Sequence, residues 1–165
     1  MTWEANDQIV RWTARAAMAC YAAALACRRS QRSNRADRSL WEKWYVAACA
    51  IYLLHVACAF ELLHGWSHAA AYEHTARRTA ETIGIRWGGG LYFNYALTLV
   101  WTADALWLLV SPQSYRRRAV GYDYMMHGFL IFMALNAVVL FGPPATQVVG
   151  LVVCAALVWL RLRRR

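Results

Sequence analysis

Runs of about 20 apolar residues bounded by charges recur along this chain, and nothing else in it restricts the fold as strongly. A run of that length crosses a hydrocarbon layer only as a helix, because there every backbone N–H and C=O must bond within the protein. Four such runs stand out, at about 44–63, 91–110, 122–141 and 145–162. A fifth, at about 9–27, carries Arg11 and Arg15 in its first two turns, where they must reach outward to the headgroups. The expected fold is therefore all-α: one polytopic membrane domain over residues 1–165, with five spans, or four if the first run stays outside the bilayer.

Composition agrees with this environment. Of the 165 residues, 60% are apolar and 16% charged, against roughly 45–50% and about 25% in ordinary soluble domains. The net charge of +9 would suggest nucleic-acid binding in a soluble protein, but here the basic residues sit between apolar runs, so no nucleic acid is expected. Thirteen Lys and Arg fall in the connections 28–43 and 111–121 and in the C-terminal tail, against five on the opposite side. The positive-inside rule then places the N-terminus outside and the C-terminus in the cytoplasm, as in a bacterial inner membrane. With four spans the bias becomes fifteen against three.

Five cysteines lie within apolar runs without C-x-x-C spacing, as small packing groups do. The first run lacks a convincing cleavage site and is expected to stay attached. In it, Ala16, Cys20, Ala24 and Ala19, Ala23, Cys27 give small-residue series suited to close helix packing.

The long connection 65–90 has its own pattern. Ser67 is placed to cap a helix over about 67–83, and Gly84 to end it. Ala69, Tyr72, Ala76, Ala80 and Ile83 recur at helical spacing, with Glu73–Arg77 and Arg77–Glu81 as i,i+4 pairs on another face. An amphipathic helix on the outer membrane surface is expected, with Trp66 and Trp87 at the headgroup level.

Ionisable groups within the spans are the best pointers to function, since each is costly in hydrocarbon and needs a partner. Asp104 and His127 lie at similar depths toward the cytoplasmic side and form a candidate buried pair or proton relay. His55 falls near the centre of its span and, with His127, is a candidate haem-ligand pair. Toward the outside, Glu61, His64 and His68 are spaced i, i+3, i+7 and would line one face of a continuous helix as metal ligands, with Asn94 and Tyr95 supporting them. Gly65 interrupts that face if the helix bends there. The signatures H-E-x-x-H and G-x-S-x-G are missing, so the sequence assigns no catalytic residue and leaves enzymatic activity open. The expectation is an integral membrane protein binding a transition metal or haem near its outer face. The alternatives are an accessory or assembly subunit of a membrane complex, or a small proton-coupled transporter, with a homo-oligomer or a membrane partner in either case.

Overall fold

The computed structural model describes residues 3–30 and 35–140, so the span expected at 145–162 and the end of that at 122–141 lie outside the described residues. Among the described residues 90% are helical and none forms a strand. Helix α1 covers Trp3–Ser30, and α2 covers Arg35–Ala59 before widening into a π-helical turn at Phe60–His64. Helix α3 is His68–Ile83, α4 is Gly90–Val110 and α5 is the short Pro112–Arg116. Helix α6, Val120–Leu135, ends in a second π-helical turn at Asn136–Leu140.

Two helical stretches, Leu40–His64 and Gly90–Val110, are long and apolar enough to cross a membrane. Helix α1 is rich in Ala rather than Leu and carries Glu4, Asp7, Arg11 and Arg15, which makes it the least apolar of the long helices.

Contacts between α1 and α2 run antiparallel along the whole hairpin. Asn6 Nδ2 donates to the Leu62 carbonyl, His55 Nδ1 to the Val10 carbonyl at 3.0 Å, and the rings of Tyr21 and Tyr45 lie 6.4 Å apart. The buried seam of α1 is Val10, Ala17, Tyr21 and Ala24. Of the small-residue series expected from the sequence, only Ala24 is fully buried, while Ala16 and Ala19 are exposed. The seam is set by where the large Tyr21 ring must go, and the small residues one turn to either side make room for α2.

Helices α4 and α6 close on this hairpin through Leu97, Trp101, Ala105, Leu108, Met126 and Leu130. Trp101 is the hub, with Tyr52, Tyr21 and Tyr45 at centroid distances of 5.2, 5.6 and 6.1 Å. Between α1, α2, α4 and α6 lies a cavity of about 130 Å³, lined among others by Ala17, Tyr21, His55, Asn94, Trp101 and Met133.

A sharp turn separates the π-helical turn from α3. Gly65 and Trp66 both take left-handed backbone angles, φ 54° and 58°. That geometry is strained for a bulky residue, and here Trp66 Nε1 donates to Glu61 Oε2 at 2.6 Å while its ring rests 5.8 Å from that of Phe60. Ser67 caps α3 by accepting from the Ala70 amide at 3.2 Å, and Gly84 ends it at φ 77°. The intrahelical ion pairs differ from those expected: Glu81 accepts from Arg78 at 2.9 Å, and Glu73 accepts from Arg86, beyond the helix end. Ala71, Ala76 and Thr79 face the bundle, leaving Tyr72, Ile83, Trp66 and Trp87 exposed.

The segment after α3 passes so close beneath it that a Cβ on Gly88 would sit 2.6 Å from the Tyr72 carbonyl oxygen, a contact that only backbone movement relieves. We expect Gly88→Ala to destabilise the protein by about 1–3 kcal/mol in denaturant titrations in detergent. Gly121→Ala, whose added methyl meets open space within a helix, should be neutral or slightly stabilising.

Candidate functional site

Asp104 is 1% exposed, on the α4 face that meets the rest of the bundle. A carboxylate in that position requires donors on both oxygens. Its Oδ2 accepts from the phenols of Tyr45 on α2, at 2.7 Å, and Tyr115 on α5, at 2.8 Å. Its Oδ1 accepts from Arg118 Nη1 at 2.9 Å. Arg118 reaches this point because Pro112 starts α5 immediately after α4 and turns the chain back, bringing Tyr115 and Arg118 over the end of the bundle. The guanidinium also lies 3.8 Å above the Tyr115 ring.

From Arg118 the chain of contacts continues across α6. Arg118 Nε donates to Asp123 Oδ1 at 3.1 Å, with Nη2 on the same oxygen, and Asp123 Oδ2 accepts from Arg28 at the end of α1. Arg28 Nη1 donates to His127 Nε2, and His127 Nδ1 lies 2.9 Å from the Tyr21 hydroxyl. With Nε2 occupied as an acceptor, the imidazole is the neutral tautomer carrying its proton on Nδ1, which donates to Tyr21.

The result is a closed, charge-balanced cluster of two aspartates and two arginines. Every carboxylate oxygen and both imidazole nitrogens in it are bonded. Burial together with the Asp104 charge pushes the Tyr115 phenol on α5 well above its ordinary value, so it remains a donor. Burial opposes the Arg118 charge, but Asp123 and Asp104 more than offset this and raise its pKa further.

The sequence brings Asp104 and His127 to one level, and the structure places both in this cluster. They are joined through Arg118 and Asp123 rather than bonded to one another. A relay through His127 would have to displace the Arg28 guanidinium from Nε2, so the geometry favours a clamp.

The expected ligand groupings are rearranged. Among the described residues, no three His, Cys, Asp or Glu side chains are placed to hold a metal ion. Glu61 is turned to Trp66; His68 Nδ1 bonds the Tyr95 hydroxyl at 3.0 Å; and His64 faces His74, with ring centroids 5.1 Å apart. The left-handed pair Gly65–Trp66 is the cause, since it ends the helix on which the i, i+3, i+7 spacing depended. Asn94 lies apart from these groups, lining the cavity while its carbonyl accepts from Thr98 at 2.8 Å. The haem pairing of His55 with His127 is likewise not assembled. His127 has both ring nitrogens bonded, and the cavity of about 130 Å³ is small beside the roughly 300–1,000 Å³ usual for larger cofactors.

Tyr21, Tyr45, Tyr115, Arg118, Asp123 and Arg28 are the site residues that sequence reasoning missed. Arg118 stood within the Arg116–Arg118 run, which reads as topological charge. The signal was Asp104 itself, a carboxylate within an apolar run, whose nearest downstream cations are in that Arg116–Arg118 run. No protein-family model, no curated protein and no solved structure matches the chain.

Breaking a buried ion pair on one side costs roughly 3–5 kcal/mol. We expect Asp104→Asn and Arg118→Met each to lose about that much in detergent unfolding, with the double variant losing far less than their sum. Strictly additive losses in that cycle would show that the pair is not coupled.

Proposed function

We propose that the chain is a multi-pass integral membrane protein that serves as an assembly or accessory subunit, working through helix contacts within the bilayer. The observation that carries this reading is the closed cluster around Asp104. It locks α1, α2, α4, α5 and α6 in one register and leaves no titratable member unengaged. Buried polar groups used this way specify packing rather than conduct protons.

Five spans, at 9–27, 44–63, 91–110, 122–141 and 145–162, fit this reading, with α3 lying along the outer surface on its exposed Tyr72, Ile83, Trp66 and Trp87. The excess of Lys and Arg in the connections near the cluster supports a cytoplasmic position for it. Helix α6 supports a docking role. Gly121, Met125, Gly128, Phe132 and Leu135 are all exposed on it at heptad spacing, and a Cβ on either glycine would meet open space. Small residues on an apolar face let a second membrane helix approach closely.

The native mass of protein extracted in a mild detergent tests the reading. We expect a complex larger than one chain for the wild type, and Gly128→Leu to release the single chain with helix content unchanged. A wild type that is monomeric in native membranes and extracts alike would overturn the assignment. A reporter fused to the C-terminus should be found in the cytoplasm.

A further inference from the structure

Of the five histidines, His127 has both ring nitrogens bonded, to Tyr21 and Arg28, and His55 and His68 each have Nδ1 bonded, to the Val10 carbonyl and to Tyr95. The remaining two face one another. His64 ends the π-helical turn and His74 lies within α3, so they come from separate elements brought together by the Gly65–Trp66 turn. Their ring centroids are 5.1 Å apart and their planes nearly perpendicular, at 82°. Two imidazoles bound through nitrogen to one tetrahedral ion at about 2.0–2.1 Å put their centroids roughly 5 Å apart.

A second observation lies at the same junction. The side chain of Asn6 on α1 donates to the Leu62 carbonyl, two residues before His64, while its Oδ1 is buried with no hydrogen-bond partner. A buried acceptor left unpaired in this way calls for a water or an ion. From these two observations we infer that His64 and His74 hold a divalent transition-metal ion of the imidazole-preferring kind, with the Asn6 amide oxygen and water completing its coordination.

Charges of both signs surround the pair, Arg77 and Arg78 against Glu81 and Asp7. Arg78 is engaged by Glu81, and Asp7 on α1 adds negative charge that acts on His74. The ligand set also accounts for the spacing of His64 and His74, which share no helix face in the sequence. It replaces the expected grouping with Glu61 and His68, and it stands independently of the assembly role.

The test uses full-length protein purified on a tag without histidine, stripped with chelator and titrated with Co²⁺, with Zn²⁺ as competitor. We expect one Co²⁺ per chain, displaced by Zn²⁺, and a tenfold or greater loss of affinity in both His64→Ala and His74→Ala. His68→Ala should bind as the wild type does. Unchanged Co²⁺ binding in the His64 and His74 variants, or an equal loss in His68→Ala, overturns the inference. Should His64→Ala fail to fold, His74→Ala decides alone, since its half-exposed position on the surface helix leaves the bundle core untouched; circular dichroism confirms its helix content.

Discussion

Removing the Asp104 carboxylate from water is the constraint to which the rest of the bundle answers. An isolated charge in an apolar interior is too unfavourable to persist, so its partners must arrive with the correct geometry or the fold does not form. Two phenols and a guanidinium supply them, from α2, α5 and the connection after it. That requirement explains why a proline follows α4 immediately and why the chain doubles back to bring Tyr115 and Arg118 over the carboxylate. Arg118 would in turn be an excess charge, and Asp123 offsets it; Asp123 then holds Arg28, and Arg28 holds His127. Each neutralisation recruits another helix, which is how one buried acid fixes the register of five.

Packing above the cluster follows from the same arrangement. Tyr21 and Tyr45 point their hydroxyls into the cluster and turn their rings toward Trp101, so they serve as both polar partners and core. Ala24, Ala48 and Cys49 are small because these rings occupy the space between α1 and α2. Away from the cluster the side chains no longer fill the centre, and a cavity of about 130 Å³ remains. Its lining is mostly apolar, with His55 and Asn94 among the exceptions.

The helical elements were legible because they depend on local signals. Apolar run lengths located α4 and α6 within a few residues and the end of α2, whose start at Arg35 lies nine residues before the apolar run, and Ser67 and Gly84 marked α3 because caps are encoded by single side chains. The depth of Asp104 and His127 was also readable, since it needs only a count from the span midpoint. Their partners were not. Hydrogen bonds such as Arg28 to His127, separated by 99 residues, depend on how helices rotate about their axes, which apolar content alone leaves undetermined. The outer grouping failed for a different reason: i, i+3, i+7 spacing implies a common face only on an unbroken helix, and two consecutive left-handed residues broke it. Gly65 signalled that break, whereas Trp66, a bulky residue in the same conformation, gave no warning.

The two ends of the bundle therefore carry histidine in opposite conditions. At the cluster end, His127 has both nitrogens bonded and a permanent cation against one of them, so its role is to complete a clamp. At the α3 end, His64 and His74 meet without any such commitment, held by a turn that is strained at Trp66. Strain in a turn persists only where surrounding contacts enforce it, and here Glu61, Phe60 and the Ser67 cap do so. Those three contacts set the position of α3 relative to the end of α2, and thereby the separation of the two imidazoles. Chemistry that needs uncommitted donors belongs at that end, and the buried charges at the other end keep the helices that carry it in place.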